Sequence, residues 1–582
     1  MANERVLDTP APTDRPTFTI LVDGEELARE YQVQAVQVTK TANRIGAARL
    51  VLLDGDPAGG TFAVSDAPLF APGTAITIQA GYHSQEDPIF SGIVVRHGIR
   101  ARQGKPSTLI VDCKHQAVKL TGTRRSHCFV EMTDSDAFAA IAGNYDLASE
   151  FEATAVHHRE LVQYGATDWD FLVSRAEANG MLVLTNDERL VTKKPVLDGK
   201  PAASLTYGAT ILRFEAEMDA RQQLPGVTSR AWDQAEQAVS EAEAGQQPEV
   251  GQGNIDSDTL AQVLGLDTFR LNHAGALSSE ELQAWADTQL LKAHLAKIRG
   301  SVTCQGLAKV NPGDLIELDG VGDRFNGKAF VGAVQHAIGS GSWTTELGFG
   351  LDPAWFLADH DAEPPPAGHL LPAVRGLQIG IVRQLADDPD GEQRVLVTMP
   401  LVNPEGDGLW ARVATLDAGD SRGSFFLPEI GDEVVLGFVA DDPRDPVVVG
   451  MLNSSAKPAP LAASDDNHEK GFVTRSKLEL LFNDDKKSIT IRTPAGNAIT
   501  VSDDEGALTL ADQNGNTVTM NADGITIESA KDLVLKASGD LKLQGMNVST
   551  KAEAKYSAEG ATGAEVTTNG AAVLKGSVVQ IN

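Results

Sequence analysis

ITIRTPAGNAITVSDDEGALTLADQNGNTVTMNADGITIESAKDLVLKASGDLKLQGMNVS, residues 489–549, is built from apolar–polar–apolar triplets. The paired apolar positions are Ile489/Ile491, Ile499/Val501, Leu508/Leu510, Val518/Met520, Ile525/Ile527, Leu533/Leu535, Leu541/Leu543 and Met546/Val548, and their starts lie 5–10 residues apart. Gly, Asn and Asp fill the gaps. Alternation over three residues sends two side chains to one side of a short strand, and the gap residues suit tight turns. A short repeat of strand and turn marks a β-helix or solenoid. One chain cannot hold such a rod together. Two inward side chains per repeat return less free energy than the backbone entropy lost in ordering its residues. Three identical chains wound about one axis supply the missing burial and satisfy the strand edges. Residues 489–582 are therefore expected to form a needle, an intertwined triple-stranded β-helix (β-prism) that is stiff and slow to unfold. Residues 551–572 are rich in Ala, Gly and Thr, which lets the rod narrow. LKGSVVQIN (574–582) stays apolar to its end, and Val578, Val579, Ile581 and Asn582 are the expected docking residues for a cap.

Upstream, residues 454–488 read as a linker or neck. Residues 374–453 carry five strand-like runs, LQIGIV, RVLVTMP, LWARVATL, FFLPEIGDEVVLGF and PVVVGML, with turns at Asp390-Gly391 and Gly431-Asp432. Five strands in so short a span fit an OB-fold barrel. EPPPAGHLLP makes 361–373 a stiff Pro-rich linker. Residues 17–360 are expected to be β-barrel hub domains, with alternating runs such as YQVQAVQV (31–38) and AITIQAGY (75–82). Two helices are expected there, over about 134–142 and 168–179. Thr167 is placed to cap the second, and Trp169, Leu172, Val173 and Ala176 form its apolar stripe. The Ala/Glu/Gln-rich text from 229 to 298 reads as a helical insertion into this β-domain. Residues 1–16 read as a disordered tail. The fold class is mainly β and multidomain.

Composition narrows the function. A net charge of −31 over 582 residues repels phosphate backbones, so nucleic acid is not an expected partner. Cys113, Cys128 and Cys304 lie far apart, in a pattern that fits neither a zinc site nor a disulfide framework. The first residues lack an apolar signal-peptide core, and no run of about 18 apolar residues occurs. The expectation is cytoplasmic assembly, with any membrane met afterwards and transiently.

Two motifs then carry a resemblance. LPEIGDEVVLGF (427–438) followed by DDPRDPVVVGML (441–452) resembles the OB signature of VgrG-type spike proteins and phage baseplate hubs. YGATDWDFLVSRAEANGM (164–181) resembles the hub helix motif of the same family, and the triplet repeat resembles its needle. The opening FTILVDGEEL (18–27) looks closer to hubs of phage-like extracellular injection particles than to type VI secretion VgrG. The resemblance implies a structural homotrimer, not an enzyme, with no cofactor and no metal. It implies seating on the hexameric inner tube, contact with baseplate wedge proteins, a PAAR-type tip and, in some systems, toxin cargo. Sheath contraction would drive the spike through a target membrane, from a particle released extracellularly or anchored at a membrane. Many phage hubs carry a lysozyme domain between collar and needle. Here 454–488 is too short for one, and no effector domain is expected after the needle.

Chemical motifs have plainer readings. Gly419-Asp420-Ser421-Arg422-Gly423 matches G-x-S-x-G, but a strand and not a helix is expected after it, and His468 is the one histidine downstream. Asp387–Glu392 lacks the spacing of a calcium loop. His157 and His158 are adjacent on a strand and so point to opposite faces. Gly251-Gln252-Gly253 does not follow a strand, which argues against a nucleotide loop. The acidic stretch 236–250 reads as a solvated helix or loop. Two other functions are weighed against the spike. A polysaccharide-cleaving trimeric tailspike needs paired carboxylates in a groove that such short strands do not build. A receptor-binding spike needs recognition chemistry at its end, where the side chains are small.

Overall fold

The computed structural model describes residues 15–581, apart from 187 and 403–405. Most of the expected disordered tail, residues 1–14, lies outside the described residues. Strands hold 41% of the chain and helices 12%, which is the mainly-β class. There are two compact units: one runs to Arg375 and includes Phe438–Arg444, and the other comprises Gly376–Gly437 and everything from Asp445.

The first unit is organised by one thirteen-stranded sheet. Val33–Thr41 and Ala47–Leu53 alternate strictly, and Val36, Val38, Leu50 and Leu52 are buried. Val33–Thr41 also pairs antiparallel with Gly327–Gly339, which joins an N-terminal set of strands to a C-terminal set. Each set keeps its own core, around Leu50, Ile76 and Val111 in one and around Val302, Ile316 and Leu347 in the other. Near the junction lies His336, 1% exposed, with Thr345 Oγ1 at 2.9 Å from its Nδ1.

In sequence, a helical body lies between the two sets. Thr133 caps Asp134–Gly143 with a full capping box, and Thr167 caps Asp168–Ala178 by accepting the Asp170 N–H at 3.0 Å. Trp169, Leu172, Val173 and Ala176 are buried, as the stripe requires. Asp134 is fully buried between these helices. Arg175 donates to both its oxygens at 2.7 and 2.9 Å, Asn179 donates at 2.9 Å, and His158 Nε2 lies at 3.0 Å. Burial pushes this carboxyl up, but Arg175, Asn179 and His158 outweigh it and hold it below its ordinary value. Glu177 likewise takes Lys292 from the helix Ser279–Leu295 and the Phe356 N–H at 2.7 Å.

Two sequence expectations change in this unit. The Ala/Glu/Gln-rich text after 229 is not helical: Val227–Asp233 and Ala238–Glu243 form a hairpin, with Phe269–His273 as a third strand. Val227 packs with Ala286, Leu290 and Ala293 of the 279–295 helix, so burial against that helix overrides helix propensity. Only 279–295 and the short Ser257–Ala261 are α-helical in the supposed insertion. The Pro-rich linker also begins tied down. Arg124 donates to the carbonyls of Gly165, Asp361, Ala362 and Glu363. Gly165 has φ +56°, and a Cβ there would come within 2.4 Å of Pro364.

The second unit opens with a closed five-stranded barrel of Gln378–Gln384, Val395–Thr398, Leu409–Val413, Glu433–Phe438 and Pro446–Met451. Val382, Val395, Val397, Ala411, Val434, Leu436 and Val448 fill it, each fully buried. The expected long strand 425–438 is shorter than its sequence suggested. Residues 424–430 are irregular, because buried Pro428 has no N–H to give a ladder. A seven-stranded antiparallel ladder follows, with strands in sequence order: Glu469–Val473, Glu479–Asn483, Ser488–Arg492, Ala498–Ser502, Ala507–Ala511, Thr517–Asn521 and Gly524–Glu528. It starts inside the supposed neck, well before the first triplet. The triplets at 533, 541 and 546 form no strand, and 529–581 contains none. The earlier triplets pair as hairpins of one chain, whereas these later ones find no neighbouring strand in the same chain.

Two stability tests follow. Removing the Asp134 carboxylate strands Arg175, so Asp134→Ala should cost about 3–5 kcal/mol in the unfolding of this unit, read by chemical denaturation. Burial, then Lys40, holds His336 down to about 3. The unfolded chain therefore binds a proton that the folded chain refuses, and stability should fall as pH drops from the ordinary histidine range toward 3. His336→Gln should flatten that slope in a pH series of melting temperatures; an unchanged slope would assign the acid sensitivity elsewhere.

Candidate functional site: the open face of the C-terminal ladder

The ladder's register places each triplet residue from Ile489 to Ile527 in one of two columns, which its first two strands extend. One runs Phe472, Leu480, Ile491, Ile499, Leu510, Val518, Ile527. The other runs Phe482, Ile489, Val501, Leu508, Met520, Ile525. Directly opposed residues share a face, so these columns form a single apolar stripe of cross-strand pairs. The opposite face carries a threonine column, Thr490, Thr500, Thr509, Thr519 and Thr526, again in direct register.

Phe472 at the start of the stripe stacks on Phe426, with ring centroids 5.5 Å apart; farther along, the stripe lies open among the described residues. Ile491 is 49% exposed, Ile499 42% and Ile525 68%. A folded sheet of one layer leaves both faces wet, and an aligned stripe of this length marks an interaction surface.

The turns help to fix the register of the stripe. Thr493–Asn497 and Asp512–Asn516 both end in Gly-Asn, with Gly496 at φ +97° and Gly515 at φ +89°, where a side chain would be strained. Asp512 accepts the N–H groups of Asn514 and Asn516, both at 2.8 Å, and the Asn516 amide at 2.7 Å. The Asn516 N–H, then its side chain, holds the Asp512 carboxyl down to about 2. Each Asn then clamps the next corner along the same edge. Asn497 Oδ1 accepts the Gln513 N–H at 3.2 Å, and Asn516 Oδ1 accepts the Ala530 N–H at 3.0 Å. The asparagines read from the sequence as turn formers also set the stacking of the turns.

Past Glu528 the chain carries exposed apolar pairs with no strand partner. Leu533, Leu535, Leu541, Leu543, Met546 and Val548 are 55–100% exposed. Val578, Val579 and Ile581 are exposed too; Asn582 lies outside the described residues.

The motifs with enzymatic or metal overtones are placed as ordinary turns and pairs. Ser421 sits at φ +55° in a hairpin between Ala418–Gly419 and Arg422–Gly423, and Asp417 holds Arg422 at 3.0 Å. Arg394 takes Asp388 at 2.5 Å and also pairs Asp390, which engages two carboxylates of the 387–392 turn. His158 faces Asp134, while His157 faces solvent beside Glu131. Gln252 makes an isolated bridge with Gly327. Cys113 and Cys304 are buried, and burial pushes both thiols up to about 12; Cys128 is exposed. Among the described residues no helix is long and apolar enough to cross a membrane.

Comparison with known proteins agrees with this layout. The Alg8 N-terminal domain family matches residues 12–340. The type VI secretion system/phage-baseplate injector OB domain matches 378–452, which is the barrel. The phage baseplate V C-terminal trimerisation domain matches 488–582, which takes in most of the ladder and the segment after it. The type VI secretion system spike protein VgrG3 of Vibrio cholerae is 30% identical over 172 residues, covering 26% of this chain and 16% of that protein. VgrG4b of Pseudomonas aeruginosa is 34% identical over 108 residues, covering 16% of this chain and 13% of that protein. The chain thus spans less than a fifth of either relative. A tail protein from Neisseria meningitidis superposes with a TM-score of 0.44 at 16% identity, over 59% of this chain and 98% of that one. With one family model matched over more than half of the chain, and the barrel and trimerisation segments in place behind it, the chain belongs to the Alg8 N-terminal domain family and is a VgrG-type hub-spike protein.

Proposed function

We propose that this protein is the central spike and baseplate hub of a contractile injection system, working as a homotrimer without catalysis. The observation that carries the proposal is the ladder's open stripe. Most of the two aligned apolar columns, from Ile489 onward, and the unpaired segment beyond them lie in the stretch that matches a trimerisation domain. Three stripes facing one axis remove this surface from water, and the other two chains offer strand partners to 529–581. In this reading the 17–360 region seats the inner tube and meets the baseplate wedge, and the barrels form a collar. The needle carries a PAAR-type tip on Val578, Val579, Ile581 and Asn582 and punctures the target membrane on sheath contraction. The role asks for stiffness, and the site described has the makings of a rod without the convergent chemistry of an active site.

Mass photometry of the purified full chain should give three times the 61.6 kDa chain mass. A stable monomer would sink the proposal. The face matters as well as the count. Ile499→Lys would bury three ammonium groups at the axis and should dissociate the trimer at concentrations where Thr500→Lys, one residue along on the opposite face, leaves it intact. The expected difference is at least several kcal/mol per trimer. If Thr500→Lys dissociates it and Ile499→Lys does not, the stripe faces outward and the packing is reversed. For the tip, Val578→Asp with Ile581→Asp should abolish co-purification of a co-expressed PAAR-type protein while the trimer persists; retained tip binding would move the docking surface elsewhere.

A further inference from the structure

One stretch of the first unit reverses the charge of the chain. Asp and Glu outnumber Lys and Arg by 80 to 49, yet residues 88–111 hold Arg96, Arg100, Arg102 and Lys105 and no carboxylate. The fold gathers these cations. Gln85–Arg102 pairs antiparallel with Lys105–Lys114, which pairs in turn with Ala47–Leu53. Arg49 and Arg96 both stand directly opposite Asp112, and Arg100 stands opposite Thr108, so the three arginines share one face of the sheet with Lys114. The other face supplies Leu50, Leu109 and Val111 to the core. The stretches 47–53, 88–102 and 105–114 together hold a single carboxylate, Asp112, and it is already shared: Arg49 Nε lies 2.6 Å from one of its oxygens and Arg96 Nη1 3.6 Å from the other.

The rest of the cluster is uncompensated. The neighbouring strand ends its pairing at Leu53, opposite Thr108, and the two-stranded ribbon runs on past it to a turn at Gln103-Gly104. Arg102 and Lys105 pair across the tip, where like charges placed opposite one another are unfavourable. Arg100, Arg102 and Lys105 are exposed and make no ion pair among the described residues. Asp54, whose N–H bonds Ser107 O, is buried and spends its oxygens on the N–H groups of Gly55, Val64 and Ser65. The free chain carries this repulsion, and only an opposite charge brought from outside relieves it. We infer that this face and its ribbon dock the acidic surface of a partner protein other than this chain, with Arg100, Arg102 and Lys105 meeting its carboxylates. Phosphate polymers fit less well. The one aromatic ring in 88–114, Phe90, is buried, so no base-stacking platform is present. A long duplex would also bring its charge against the net −31 of the whole chain. The face lies in the first unit and owes nothing to the ladder.

The test is fluorescence anisotropy of a short fluorescein-labelled poly-L-glutamate peptide with the full chain, in a buffer whose Debye length exceeds about 10 Å. The peptide should bind in spite of the chain's net negative charge, and more weakly as salt is added. Arg100→Glu with Arg102→Glu and Lys105→Glu should weaken it about tenfold or more. The same three positions changed to Gln should weaken it less, with the melting temperature of the parent, which separates lost charge from lost fold. Arg189→Glu with Lys194→Glu and Lys200→Glu, an equal charge change at exposed positions outside the ribbon, should leave binding within about twofold. No binding to the parent chain overturns the inference, and so does an equal loss in the Arg189, Lys194 and Lys200 variant, which would make the effect one of total charge. Tighter binding of duplex DNA or of phosphatidylserine vesicles through the same three residues assigns the face to phosphate and overturns it as well. Peptide binding seen only in the dissociated Ile499→Lys chain means that a second copy covers the face, which also overturns it.

Discussion

The structure depends on one imbalance: the C-terminal ladder satisfies its backbone but not its side chains. Each five-residue strand between the ends finds a hydrogen-bonded neighbour on both sides within its own chain. The side chains of the two columns find neighbours along the stripe and stay open to water above it. Hydrogen bonding is local and can be met by hairpins. Burial needs a second layer, and a sheet of one layer has none. Past Glu528 the imbalance deepens, because there the backbone too lacks strand partners. The chain goes from being half complete to being incomplete.

The place where this happens is visible in the corners. Triplets that start 7–10 residues apart fold back on one another as hairpins, since a five-residue strand and a short turn fill that length. From Ile525 onward the next two spacings, 8 and 8, still fall in that range, but the Gly-Asn corners cease. The clamp from Asn516 to Ala530 closes the last strand of the ladder. Without such a corner the chain is not turned back. In the proposed trimer, that is the point at which one chain's meander gives way to strands shared between chains.

Much of this is legible in the residues, and the failures have a common cause. Alternation of period two makes the ladder strands from Ser488 to Glu528 and most barrel strands readable from the residues alone, whereas the first two ladder strands lie in the supposed neck and are not read. The 168–178 helix can be read too, because its cap and stripe agree. The hairpin at 227–243 cannot. Ala, Glu and Gln favour a helix in isolation, and only the 279–295 helix lying on Val227 and its neighbours decides otherwise. The segment 425–431 misleads for the opposite reason: its apolar residues suggest a strand, but Pro428 forbids the ladder and Phe425 is turned outward. The columns themselves are only half legible. The sequence pairs Ile499 with Val501, but that Ile499 stands opposite Ile491 and Leu510 is a matter of turn length, settled by the asparagine clamps.

The buried polar groups of the first unit bear on how a spike could carry load. Asp134 with Arg175, and Glu177 with Lys292 and the Phe356 N–H, fasten helices to one another and to the turn that leads to the linker. Arg124 then takes three successive carbonyls of the linker's first residues, and Pro364 fills the place a side chain would occupy at Gly165. A hydrophobic contact slides under load more readily than a bidentate ion pair, whose geometry is set by direction as well as distance. Buried pairs add little net stability over an apolar core of the same shape, yet breaking one strands a charge. Such pairs suit a joint that must not creep. The sequence thus separates two tasks. In the proposed trimer, apolar columns gather copies of the chain about an axis, and directional polar clasps keep each copy's own pieces in register.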